Sequence, residues 1–123
     1  MKIIIAGAGD VGFHLAKLLV LEDHEITVID LDEEKLTQLA KQLDVVTIKG
    51  NGTSFSVLEE ANVSDSDLFI AVTDSEEANI STSIIAKHLG ANKTIARIQN
   101  SEFLVRKDKL DLYDLGIDEI ISP

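Results

Sequence analysis

Gly7, Gly9 and Gly12 fall in the pattern G-x-G-x-x-G, as Gly7-Ala8-Gly9-Asp10-Val11-Gly12. An apolar run, Ile3 to Ala6, precedes it, and a stretch with helical spacing follows. In that context the pattern reads as a phosphate cradle. Gly7 allows the tight turn, Gly9 lets a pyrophosphate approach the backbone, and Gly12 lets the helix pack close to the strand. Free N–H groups at the helix start then face the phosphates. Without a ligand, the same residues make only a glycine-rich turn between strand and helix. Asp30 closes the next apolar run, 18 positions after Gly12, where an acid takes the adenosine ribose hydroxyls. An acid there repels a 2′-phosphate, so NAD is favoured over NADP. Asp30 could instead begin the turn into the next helix, but Asp32 already serves as that helix's cap. Asp32 is a weaker second candidate for the ribose.

The carboxyl ends of the third and fourth strands should complete the cleft, where ligands bind in open α/β sheets. They supply Gly50, Asn51, Gly52 and Thr53, then Thr73 and Asp74. Asn51 suits adenine or ribose, or an Asn-Gly turn. Thr73 and Asp74 approach the phosphates, or lead into a helix cap at Ser75. Arg97 is the best cation for a ligand phosphate, and a salt bridge explains it equally well. No catalytic set emerges: His14, His24 and His88 are scattered singly, and no G-x-S-x-G or G-x-x-x-x-G-K-[ST] occurs. A dehydrogenase normally holds its substrate with a second domain, and none is visible.

These residues need a scaffold, and the hydrophobic pattern describes one. Short apolar runs at Ile3–Ala6, Ile26–Ile29, Asp44–Ile48, Leu68–Val72, Thr94–Ile98 and Ile117–Ile121 read as six strands. Amphipathic stretches alternate with them. One runs over Asp10–Glu22 with Val11, Leu15, Leu18 and Leu19 inward. Another is capped by Asp32 and carries Leu36, Leu39, Ala40 and Leu43 on one face. A short one contains Val57 and Leu58. A fourth is capped by Ser75 and closed by Gly90, with Ile80, Ile84 and Ile85 inward. The last is capped by Ser101 and expected to end near Gly116. This alternation predicts an α/β fold: a Rossmann-like, doubly wound, six-stranded parallel sheet in the order 3-2-1-4-5-6, with helices on both faces. Residues 1–123 form one expected domain. The abrupt ending at Pro123 suggests a fragment, or a short chain that expects a partner.

Composition narrows the function classes. The chain of 123 residues is 45% hydrophobic and 27% charged, with one proline and no cysteine, so disorder, disulfides and thiolate metal sites are excluded. Eleven basic against 22 acidic residues give a net charge of −11. That disfavours nucleic acid and anionic membrane surfaces. No apolar run approaches the roughly 18 residues of a membrane span, and the N-terminus lacks a signal-peptide pattern. No direct membrane insertion and a cytoplasmic location are expected.

Several segments together resemble a known family. They are Gly7–Gly12, Asp30, Gly50-Asn51-Gly52-Thr53, Val57-Leu58-Glu59-Glu60-Ala61 and Ile70-Ala71-Val72-Thr73-Asp74. Glu76-Glu77-Ala78-Asn79, Ile95-Ala96-Arg97 and Ile120-Ile121-Ser122-Pro123 join them. The chain resembles, over essentially its whole length, the N-terminal nucleotide-binding (KTN or RCK-N) domain of Trk-type potassium-uptake regulators. The resemblance implies a ligand sensor rather than an enzyme. It would bind NAD, NADH or an adenine nucleotide and assemble as a homodimer or larger ring. That assembly would sit at the inner face of the cell membrane beneath a membrane-embedded potassium transporter subunit. By the same match Gly7, Gly9, Asp10, Val11 and Gly12 would line the pyrophosphate, Asp30 the ribose. Residues 51–53, Thr73, Asp74 and Arg97 would lie around the ligand. Asn51 stands where the family often has Asp. Asp10 stands where ATP-preferring members carry a base, which favours NAD or a shorter nucleotide. The family's full proteins continue into a smaller C-terminal regulatory domain. The alternatives are the cofactor half of an NAD-dependent oxidoreductase and a Rossmann-like interaction domain that has lost its ligand.

Overall fold

Successive residues of β1 (Lys2–Ala6) point to opposite faces of a sheet, and both faces of this strand are buried. Ile3 and Ile5 join one apolar cluster, Ile4 and Ala6 another. The computed structural model describes residues 1–122. After β1 the chain runs through α1 (Asp10–Val20), β2 (Glu25–Asp30), α2 (Glu33–Gln42) and β3 (Val46–Lys49). It continues through α3 (Phe55–Glu60), a 3₁₀ turn at Val63–Asp65, β4 (Leu68–Ala71) and α4 (Glu76–His88). The last elements are β5 (Thr94–Arg97), α5 (Ser101–Val105) and β6 (Glu119–Ile121). The six strands are all parallel, in the order β3-β2-β1-β4-β5-β6, as the alternation predicts.

Each face of the sheet has its own core. Ile3, Ile5, Ile26, Val28 and Ile70 pack with Ala16 of α1 and with Leu36 and Leu39 of α2. On the other face Ile4, Ile29, Ile48 and Phe69 pack with Leu58 of α3 and Ala86 of α4. A third cluster, built on Ala96, Ile98, Leu112 and Ile117, covers the β5–β6 end with Ile80 and Ile84 against it.

Three local expectations are corrected. The helix expected from Ser101 to near Gly116 stops at Val105, and its cap is Asn100, whose Oδ1 accepts from Glu102 N–H at 2.9 Å. Beyond it Asp108 pairs with Arg106 and Asp111 accepts from Tyr113 N–H. Short acidic side chains that bond to nearby groups compete with a helix. The buried anchors Leu112 and Ile117 do not recur at helical spacing, and the segment folds as turns. Leu18 and Ala40 face solvent; α1 approaches the sheet through the small residues Gly12 and Ala16, which turns Leu18 outward. The third strand begins at Val46, not Asp44.

The sheet's last strand is tied back by Asp118. Its Oδ2 accepts from Thr94 N–H and from Lys87 Nζ, each at 2.8 Å. Burial pushes this carboxyl up, but the Lys87 bond and charge and the Thr94 bonds outweigh it and hold it below the usual range. A depressed folded value means stability present above the unfolded pKa and lost as pH falls through the folded one. Asp118→Asn is therefore expected to lower stability at neutral pH by about 1 kcal/mol or less, the scale of an ion pair whose side chains stay 32% and 33% exposed. The gap to wild type should narrow as pH falls below the ordinary carboxylate range and the wild-type carboxyl protonates; urea titrations at neutral and at acidic pH measure it.

Candidate functional site

The strand order reverses between β1 and β4, and there the carboxyl ends part to leave a crevice. The cleft has a volume of about 590 Å³, inside the range of small-molecule and cofactor sites.

Its floor is the turn from β1 into α1. Gly7 sits at φ +122°, and its N–H donates to Ile29 O at 2.8 Å. A Cβ at Gly7 would lie 3.0 Å from Thr73 N and Val72 C, so a side chain is refused by both conformation and space. A Cβ at Gly12 would lie 1.8 Å from Gly7 O; here backbone packs directly on backbone. Gly9 is different: a Cβ there meets nothing within 4 Å. It faces the cleft, as do Asp10 and Val11. Gly9 is the N-cap of α1 and offers no side-chain bond. The first helical bond runs from Phe13 N–H to Gly9 O, so the amides of Asp10, Val11 and Gly12 have no helical acceptor. They are the groups a phosphate uses at a helix start.

Asp30, the last residue of β2, forms the wall beside this floor. One carboxylate oxygen accepts from Ala8 N–H at 2.7 Å, the other from Asp32 N–H at 2.8 Å. Both bonds orient the carboxylate, and each oxygen retains acceptor capacity. Asp32 caps α2 by accepting from Glu34 and Lys35 N–H. It stands outside the cleft lining, as does Gly12.

The far walls come from the ends of β3, β4 and β5. Asn51 Oδ1 accepts from Thr53 N–H at 2.9 Å and from Thr53 Oγ1 at 2.8 Å. This is the turn alternative, made without using Asn51 Nδ2. Gly52 O accepts from Thr82 Oγ1 of α4, which ties this loop to the helix. Thr73, Asp74 and Arg97 all line the cleft. Among the described residues Arg97 has no salt bridge, and its buried Nε has no partner. The salt-bridge account of Arg97 is therefore not realised.

Sequence reasoning missed Leu31, Lys35 and Thr82, which also face the cleft. Lys35 follows Asp30 by five positions, a spacing that puts it on the first turn of α2. Thr82 lies one turn after Asn79, so a polar stripe on α4 was its signal. The cleft thus holds three acids, Asp10, Asp30 and Asp74, against two cations, Lys35 and Arg97. No histidine lines it. No helix among the described residues is long and apolar enough to cross a membrane.

A parallel sheet of this order, with a glycine-walled helix start at its switch point, defines a Rossmann-like doubly wound domain. Residues 3–123 match the family model described as the TrkA-N domain, and the chain belongs to that family. It is 39% identical over 123 residues to a Trk system potassium uptake protein TrkA homolog of Methanothermobacter thermautotrophicus, covering 100% of this chain and 55% of that protein. It is 44% identical over 125 residues to the Trk system potassium uptake protein TrkA of Haemophilus influenzae, covering 100% of this chain and 27% of that protein. The chain thus spans about half the length of one relative and about a quarter of the other. In fold it is similar to the GsuK channel solved bound to NAD, with a TM-score of 0.81 at 19% identity, covering 98% of this chain and 21% of that one.

Proposed function

We propose that this domain is the nucleotide sensor of a potassium-transport system. It binds NAD, with NADH or an adenine nucleotide as the other candidates, and it regulates rather than catalyses. The observation that carries the reading is Gly9: open space above the free amides at the start of α1, with the oriented carboxylate of Asp30 alongside. Phosphates would take the free amides of α1, and ribose hydroxyls the remaining acceptor capacity of Asp30. Asp10, Val11 and Gly12 offer the amides. Gly7 shapes the turn. Thr73, Asp74, Arg97 and the 51–53 loop enclose the rest. The potassium uptake relatives and the NAD-bound GsuK channel support the choice of ligand and system. In this reading the domain works as a homodimer or larger ring at the inner face of the membrane, cytoplasmic, beneath a membrane-embedded transporter subunit. The ligand acts by differential affinity for two states of that assembly, typically worth about 1–3 kcal/mol.

Asp30→Ala is expected to weaken NAD binding by about 1.5–3 kcal/mol, the value of hydrogen bonds to a charged group. It also frees Ala8 N–H and Asp32 N–H, so part of the loss is lost orientation of the floor. Isothermal titration with NAD measures it, and NADP should bind wild type more weakly than NAD does. Unchanged NAD affinity in the variant removes Asp30 from the site.

A further inference from the structure

The paired register of β4 and β5 ends at Ala71 opposite Ala96. Beyond it the two strands part, and the side chain of Asn79 fills the gap. Its Oδ1 accepts from Thr73 N–H at 2.9 Å and from Thr73 Oγ1 at 2.6 Å. Its Nδ2 donates to Thr73 O at 3.1 Å and to Arg97 O at 3.0 Å. The carboxamide thus uses both donors and two acceptor positions, and the residue is 1% exposed. Asparagine is a poor helix former, and a buried amide is costly unless it is bonded; these four bonds account for its place on α4. One turn earlier on the helix, Glu76 Oε1 accepts from Gln99 N–H at 3.2 Å and Asn100 N–H at 2.7 Å. The pair therefore grips the chain on both sides of Arg97's neighbour Ile98. Between them lies a small polar hollow of about 120 Å³, lined by Thr73, Asp74, Glu76, Asn79, Arg97 and Gln99. It shares Thr73, Asp74 and Arg97 with the main cleft.

We propose that Asn79, supported by Glu76, is a positioning residue: it holds the exits of β4 and β5 where Thr73 and Arg97 receive the second half of a dinucleotide. This rests on the nucleotide reading above. With the first ribose on Asp30 and the pyrophosphate on the start of α1, the remaining nucleoside continues across the sheet toward β4 and β5. Asn79 makes no bond to the residues of the first half: Asp30 and the 51–53 loop are held by Ala8, Asp32 and Thr82. Its direct bonds therefore act on the end of the ligand that lies against Thr73 and Arg97.

Titrations of the chain with NAD and with AMP separate the two halves. Asn79→Ala should weaken NAD about tenfold or more, as when a bonded group is left unmade. Its AMP affinity should stay within about twofold, the margin for uncoupled sites. Arg97→Ala should show the same pattern, and the double variant should lose little beyond either single one, because both act on one contact. Asn79→Asp keeps the acceptor for Thr73 but turns an oxygen toward two carbonyls; it should reproduce the NAD loss and serves if the alanine variant does not fold. Equal losses of NAD and AMP would mean that Asn79 only supports the fold, and full NAD affinity in both Asn79 variants would mean that it positions nothing; either overturns the proposal. Wild type that binds neither probe overturns the nucleotide reading itself, and the proposal with it.

Discussion

A Gly9→Val chain is expected to lose NAD binding by about a hundredfold or more, some 2.7 kcal/mol, while keeping its fold. The physical grounds are unusually direct. Gly9 sits at φ −75° and ψ −164°, extended backbone that valine adopts readily. A Cβ there points into open space, with nothing beyond its chain neighbours within 4 Å. The space it fills is the space above the free amides of α1, where a phosphate must come. Exchanging glycine for valine at an N-cap costs the helix on the order of 1 kcal/mol, which a single domain of this size tolerates. Circular dichroism and a binding titration on one sample decide the matter. Full affinity in a folded variant contradicts the phosphate-cradle reading.

Three positions along, the opposite result is expected. Gly12→Ala should destabilise the domain by about 3 kcal/mol or more, at the upper end of overpacking costs. Alanine favours a helix over glycine by about 1 kcal/mol, but that gain is small beside the collision. The new methyl would lie 1.8 Å from Gly7 O and 2.8 Å from Gly7 C. Both are backbone atoms, so no rotamer change relieves the contact. Urea denaturation monitors the loss; a variant as stable as wild type would show that α1 does not need to approach the first turn so closely. One motif thus contains one glycine that opens onto the cleft and two that pack against main chain.

Legibility in the sequence follows this division. The six strands and their order were readable because buried parallel strands are near-continuous apolar runs, and Ile3–Ala6, Ile26–Ile29 and Leu68–Val72 are clear cases. The caps at Asp32 and Ser75 were readable because their chemistry is local. The segment after Val105 was not: which of its apolar residues become anchors is decided by the fold, and burial of Leu112 and Ile117, five positions apart, together with the local bonds of Asp108 and Asp111, selects turns. In the cleft, eleven of the thirteen residues marked in the sequence face the cavity, with Gly12 and Asp32 lying outside its lining. Lys35 and Thr82 escaped notice because each belongs to a helix whose orientation the sequence does not state. Asn79 belongs to a recognisable segment, but its four bonds go to Thr73 on the loop before α4 and to Arg97 at the end of β5, and that convergence exists only where β4 and β5 part in the folded sheet.

The sheet also acts as a partition. Ile3 and Ile5 pack with α1 and α2, while Ile4 and Ala6 pack with α3 and α4, so adjacent residues of one strand belong to different interiors. Substitutions that share no partners combine nearly additively. The two interiors can therefore drift in sequence separately over evolutionary time, each repacking by small volume-conserving exchanges while the other stays as it was. Gly7 and Gly12 have no such freedom: each meets main chain instead of side chain, and no neighbouring exchange can make room. Lineages of this domain can thus diverge widely across both layers and still arrive with the same first turn.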